Sequence, residues 1–296
     1  MLTHTHTQPH KPKRAVVIGA GGFVGGTIKA ALASSGIDTV GLTRKEVDLL
    51  APEATKVLSS QLQAGDSVVF VSAIAPAKTC EQLMDNLRIV EAACTAFSEV
   101  MPGHLLYISS DAIYSDDANP VTEDSYAAPS TTHGMMHAAR ELMFKSTVTC
   151  PFAALRPTLI YGAADPHSGY GPNRFRRQAA NGEMITLFGD GEERRDHVAV
   201  DDVAQLASLI ILHGSEGTLN AVTGVSVSFF DIAQIVAAQF NPPAEVKCLP
   251  RTVPRPHLLH RFFDISQCLK SFPDFRYTSL ADGIARMHKK TVGKKR

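Results

Sequence analysis

The stretch Ala15-Val16-Val17-Ile18-Gly19-Ala20-Gly21-Gly22-Phe23-Val24-Gly25-Gly26 constrains the fold more than any other part of the chain. Four apolar residues, a glycine-dense turn and then Thr27 to Ser35 without Pro or Gly read as strand, tight turn and helix. Gly19 permits the sharp turn, Gly22 lets a backbone approach a pyrophosphate, and Gly25 lets helix and strand pack closely. The free N–H groups at a helix start give an anion its partners. Gly19, Gly22, Phe23, Val24 and Gly25 are therefore candidate dinucleotide contacts.

Further apolar runs at 39–42, 67–72, 104–108 and 152–155 have the length and continuity of buried parallel strands, with helix-length segments between them. They predict an α/β chain: a Rossmann-type doubly wound parallel sheet with a smaller C-terminal substrate-binding cap. Sites are expected at the C-terminal ends of the strands. The expected division is a disordered tail over 1–12, a dinucleotide-binding domain over 13–162, and a cap over 163–288 with some segments returning to the sheet. A basic tail over 289–296 ends it. The second strand runs into Thr43-Arg44-Lys45, where a site for NAD usually has an acid for the ribose hydroxyl. Two cations there suit a 2′-phosphate, so NADP is favoured over NAD.

Composition narrows the classes. Twenty-nine basic and twenty-nine acidic side chains leave a net charge of zero, so no global field recruits nucleic acid or an anionic membrane. Five widely spaced cysteines without a Cys-x-x-Cys point to reduced thiols and a cytoplasmic protein. No apolar run has transmembrane length.

Several motifs then follow in a fixed order. After Gly19, Gly22 and Gly25 come Asp48-Leu49, the run from Asp66 to Ser72-Ala73, and Asn86 opening a helix. Tyr107-Ile108-Ser109-Ser110-Asp111-Ala112-Ile113-Tyr114, Leu155-Arg156-Pro157 through Tyr161-Gly162, and Leu187-Phe188-Gly189-Asp190-Gly191 through Arg194-Arg195-Asp196 complete the set. From Lys13 to about Met287 the chain resembles the extended short-chain dehydrogenase/reductases, the branch of nucleotide-sugar epimerases, dehydratases and 4-keto-sugar reductases. The resemblance implies an NAD(P)-dependent enzyme acting on a nucleotide-linked sugar. It places Asp48, Leu49, Ser72 and Ala73 at the cofactor, Ser110 at the sugar's reacting oxygen and Arg195 at the nucleotide diphosphate. It also implies a homodimer. Arg174 lies in an arginine-rich helix whose guanidinium groups suit phosphate.

One position breaks the pattern. Where relatives carry Tyr-Gly-x-x-Lys, this chain has His133-Gly134-Met135-Met136-His137. Bringing a phenol from a pKa of ~10 to near neutrality takes about 4 kcal/mol of electrostatic help, which a lysine four residues on supplies. An imidazole starts near ~6.5 and needs none. His133 is thus expected to act as the acid/base, and His137 to contact the cofactor ribose or pass protons. Asp111 is a further candidate, and Ala112 stands where dehydratases have a second carboxylate. Other readings stand beside this one: a cofactor-binding protein without redox turnover, a non-redox enzyme using the His pair, or Tyr126 as proton carrier. A metal on the pair finds no third ligand at a diagnostic spacing, and no metal is expected.

Overall fold

A computed structural model describes residues 2–251 and 258–292. In chain order the first elements are β1 (Thr3–His4), β2 (Ala15–Ile18), α1 (Phe23–Ser34), β3 (Thr39–Leu42), α2 (Ala54–Gln61), β4 (Ser67–Phe70), α3 (Cys80–Glu99) and β5 (His104–Ile108). A short 3-10 turn, Asp111–Ile113, precedes α4 (Thr132–Thr147), β6 (Phe152–Pro157) and β7 (Leu159–Tyr161). Then come α5 (Pro172–Ala180), β8 (Ile185–Phe188), β9 (Arg194–Ala199), α6 (Val200–His213), β10 (Ser215–Ala221) and β11 (Ser226–Ser228). The last are α7 (Phe229–Ala237), β12 (Val246–Leu249), α8 (Ser266–Ser271) and α9 (Leu280–Val292).

The large sheet has the order β1-β10-β6-β5-β4-β2-β3. All its neighbours pair in parallel except β1 on β10. The chain leaves β2 for β3 on one side and then returns to β4 on the other. That reversal opens a crevice beyond the C-terminal ends of β2 and β4, where doubly wound sheets bind ligands. Strands β2, β4, β5 and β6 are buried along their whole length, which explains their unbroken apolar runs. Successive side chains alternate between two cores. Val17 and Val69 pack with Ile28 of α1 and Leu206 of α6, while Val16 and Val68 pack with Phe97 of α3 and Phe144 of α4.

The cap has its own core, in which Phe175, Ile185, Phe229 and Ile232 meet Ile284 of α9. Strands β11-β9-β7 form a small sheet joining the cap to the large one, and β12 pairs with β8. Residues 200–221 leave the cap and supply α6 and the last parallel strand, β10.

Three expectations require correction. The start of the chain is ordered: Thr3 and His4 pair with Glu216 and Ser215, Leu2 is buried, and the His4 ring packs between His213 and Phe272. The backbone N–H groups of His6 and His10 donate to His213 and Leu212. A two-residue strand has no period to read, so its order comes from the edge it covers. Asn86 lies inside α3 rather than opening it, fully buried, and its side chain bonds Ile74, Gln82 and Arg140. Lys289 and Lys290 belong to α9, with Lys290 Nζ 3.1 Å from Asp201, while 293–296 lie outside the described residues. Among the described residues no helix is long and apolar enough to cross a membrane.

Candidate active site

The glycine turn forms the floor of a cavity of about 880 Å³ at the switch point. Gly19, Gly22, Phe23, Val24, Gly25, Thr43, Arg44, Lys45, Asp48, Leu49, Ser72 and Ala73 all line it, although they come from three successive strand ends. Helix α1 begins at Gly22 with no side-chain cap and no acid in its first turn, so its free N–H groups are left to an anion. A Cβ on Gly25 would lie 2.2 Å from the Gly19 carbonyl oxygen, so helix and turn touch there with no room for any side chain. These donors and this close approach fit a dinucleotide pyrophosphate.

At the end of β3 an acid missed in the sequence turns back on the chain. Glu46 Oε2 accepts from Thr43 N at 2.8 Å and from Thr43 Oγ1 at 2.5 Å, one half of a capping box. The Thr-x-x-Glu spacing was its signal. Arg44 is 79% exposed and bonds Asp48 at 3.1 Å. An exposed pair of this kind holds its arginine by less than about 1 kcal/mol, so Arg44 is free to turn to a phosphate.

A second cavity of about 920 Å³ abuts the first, with Leu159, Gly169 and Tyr170 in both walls. His133, Asp111 and Arg195 line it. Ser110, His137 and Arg174 line neither cavity. Lys78, Arg251 and Arg261 also line the second one, and the motifs gave no sign of them. The density of basic residues around 251–261 in the sequence was the available hint.

His133 is placed by the start of α4. Thr131 caps the helix by accepting from Gly134 N at 3.1 Å, and Gly134 packs so tightly on the 3-10 turn that a Cβ would fall 2.0 Å from Ala112 O. Its ring lines the second cavity, and Nδ1 accepts from Ala77 N in a long bond of 3.5 Å. A neutral ring held in this way carries its proton on Nε2. Burial lowers the His133 pKa, and the charge of Arg140 adds to the effect.

His137 does not reach either cavity, contrary to what its position in the sequence predicts. One turn along α4 its ring points under β5, buried, with Nδ1 2.6 Å from Tyr107 Oη. An imidazole is shorter than a lysine, and the Tyr107 hydroxyl holds it in the core. Burial, then the neighbouring His133 and Arg140, pull its pKa well below the ordinary histidine range. The two rings stand edge to face with centroids 4.7 Å apart.

Asp111 stands on the 3-10 turn in the wall of the second cavity. Its partners are hydroxyls: Thr158 Oγ1 donates at 3.3 Å and Ser110 Oγ at 3.4 Å. Burial pushes its pKa up to about 6 despite the attraction of Arg261. The Ser110 hydroxyl closes the turn as well, accepting from Ala112 N at 3.1 Å, which explains its absence from the cavity wall.

Among the other candidates, Arg195 donates to the Leu258 and Leu259 carbonyls and lies 3.7 Å from Glu193. Arg174 stacks over the Tyr170 ring. Tyr126 is 86% exposed and lines neither cavity, so it has no place at the site. Among the described residues no group of three His, Cys, Asp or Glu side chains is placed to hold a metal ion.

The chain matches the NAD dependent epimerase/dehydratase family over residues 15–222, and it belongs to that family. It is 26% identical to a UDP-glucose 4-epimerase of Mycolicibacterium smegmatis, over 80% of this chain and 86% of that one. It is 22% identical to a dTDP-4-dehydro-6-deoxy-D-allose reductase of Streptomyces bikiniensis, over 92% of this chain and 94% of that one. The solved structure of a GDP-L-fucose synthetase from Naegleria fowleri bound to NADP superposes with a TM-score of 0.84 at 16% identity, covering 100% of this chain and 98% of that one. That likeness shows the fold.

Proposed function

We propose that this protein is an NAD(P)-dependent oxidoreductase or epimerase of a nucleotide-linked sugar. The observation that carries the reading is the pair of abutting cavities, with a glycine cradle in one and His133 and Asp111 in the wall of the other. Bound on the cradle, a nicotinamide dinucleotide supplies a hydride acceptor or donor. Lys78, Arg195, Arg251 and Arg261 give the second cavity the positive charge that a nucleotide diphosphate needs.

In this proposal the work at the sugar oxygen is divided. His133, neutral and with its Nδ1 on Ala77, offers Nε2–H as a hydrogen-bond donor. A neutral imidazole does not readily release that proton. Asp111 does release one near neutral pH, so it is assigned the proton exchange and His133 the holding of the oxygen. His133→Ala is expected to lower kcat by roughly 10²–10³-fold, the loss usual for one preorganised donor, with the dissociation constant for NADPH unchanged. Unchanged turnover would remove His133 from the mechanism.

Titration with NADPH and NADH, followed by a panel of UDP-, GDP- and dTDP-linked sugars and 4-keto-sugars, tests the whole reading. Substrate-dependent loss or cycling of reduced nicotinamide supports it. Tight cofactor binding with no change across the panel supports a binding protein or non-redox chemistry instead. NADP is the favoured cofactor because Arg44 and Lys45 line the cavity beside the end of β3. Arg44→Ala with Lys45→Ala is expected to weaken NADPH by roughly 30-fold, about 2 kcal/mol, and to leave NADH alone. Equal losses for both cofactors contradict that preference.

The homodimer is proposed across α3 and α4, where Met84, Met135 and Leu142 are exposed apolar side chains and the last two lie seven residues apart on one helix face. Light scattering at the mass of a single chain overturns it.

A further inference from the structure

Arg140 is a buried cation that the chemistry above leaves unused, and the inference here rests on that reading of the site. It is fully buried, with its guanidinium 5.3 Å from the ring centroids of both Phe70 and Tyr107. Nη2 donates to the Ser72 carbonyl at 2.5 Å, and Nη1 donates to Asn86 Oδ1 at 3.3 Å and to Met136 Sδ at 3.4 Å. Nε has no hydrogen-bond partner among the described residues. No carboxylate among them bonds this guanidinium, whereas the buried Arg156 is met by Glu141, the residue next to Arg140 on the same helix.

A buried cation without a counter-charge is costly, and an apolar side chain of the same length fills such a space at less cost. Its placement is informative. Ser72, whose carbonyl it holds, lines the dinucleotide cavity. His137 and His133 stand three and seven residues earlier, on the same face of α4. Between this cation and His133, position 137 holds an imidazole turned into the core.

We propose that Arg140 is the positioning cation of this site: set beneath the end of β4, it keeps the His133 and His137 rings uncharged, so that His133 meets the substrate as a neutral donor. Its guanidinium lies over the Tyr107 ring whose hydroxyl meets His137, and the His137 ring stands edge to face with His133, so its charge adds to burial in opposing protonation of the pair. The other charges around the pair do not cancel it. In the second cavity Asp116 is 3.5 Å from Arg261, and Glu193 is 2.7 Å from Arg251 and 3.7 Å from Arg195, while Lys78 adds a further cation. Asp111 is the remaining carboxyl group there, and its partners are the Thr158 and Ser110 hydroxyls and the charge of Arg261 rather than Arg140. On the core side the titratable neighbours are Tyr107 of β5 and Cys94 of α3, both held toward their neutral forms by burial.

The test is a proton NMR titration of the His133 ring in the unliganded protein, assigned by difference against His133→Gln. Arg140→Met is expected to move its midpoint upward by about one pH unit, the effect of removing a nearby like charge, while Arg140→Lys leaves it near the wild-type position. Arg140→Gln removes the same charge while keeping an amide donor for the Ser72 carbonyl, and moves the midpoint in the same direction. That variant gives the answer if Arg140→Met does not fold. A midpoint that stays in place in whichever of the two variants folds overturns the proposal. Because the readout needs neither cofactor nor turnover, a wild-type protein inactive on every nucleotide sugar sinks the functional reading separately.

Discussion

Asp111→Asn is expected to lower turnover by roughly 10²–10⁴-fold, because an amide of the same shape keeps the hydrogen bonds and cannot exchange a proton. The same substitution has a signature in stability. The Asp111 carboxyl is pushed by burial from its ordinary value of 3.8 up to about 6, so the native state binds a proton that the unfolded chain has released. The stability this contributes is complete below the unfolded value and is lost as the pH rises through about 6, on the order of 3 kcal/mol in all. Chemical denaturation of the wild type and of Asp111→Asn at pH 5 and pH 8 should therefore show the variant gaining on the wild type as the pH rises. A constant gap with undiminished activity returns Asp111 to the role of a turn residue.

Glu141→Ala should cost about 3–5 kcal/mol of stability, which for a chain of this size lowers Tm by about 10 °C. Glu141 accepts from Arg156 Nε at 2.9 Å and Nη2 at 2.6 Å with both side chains buried. Arg156 Nη1 also donates to Tyr114 Oη at 2.8 Å, and that hydroxyl donates to Asn220 at 2.7 Å. The network joins α4, β6, β10 and the segment after the 3-10 turn, so removing the carboxylate strands a buried guanidinium in the middle of four elements. Replacing both partners, Glu141→Leu with Arg156→Met, should recover most of the loss, since no unpaired charge remains. Thermal unfolding checks the pair, and a loss below about 1 kcal/mol for Glu141→Ala contradicts the account.

The first half of the fold was legible because its signals are local. Ala15 to Ile18, the glycine turn and the helix that follows announce themselves within twenty residues, and the long apolar runs of β4 and β5 mark strands covered on both sides. The candidate contacts of the dinucleotide cavity were legible for the same reason, since each sits where a strand ends. The second cavity was less so. Arg251 and Arg261 reach it from the segments flanking 252–257, and no local pattern states where those segments lie. His137 was recognised as unusual, but its direction depends on Tyr107, whose hydroxyl is hidden in what reads as a plain apolar strand. The motif position of Ser110 predicts a substrate contact, while its hydroxyl is committed to the turn two residues on.

The pairing of Thr3 and His4 with β10 changes the outer boundary of the molecule. Without it, the first residues of the last parallel strand would present open N–H and C=O groups, a template for joining another copy edge to edge. A reversed strand of two residues, anchored by Leu2 and followed by a run of polar residues, covers Ser215 and Glu216 at that end. A protein trimmed of residues 2–10 is therefore expected to gain an adhesive corner at the start of β10.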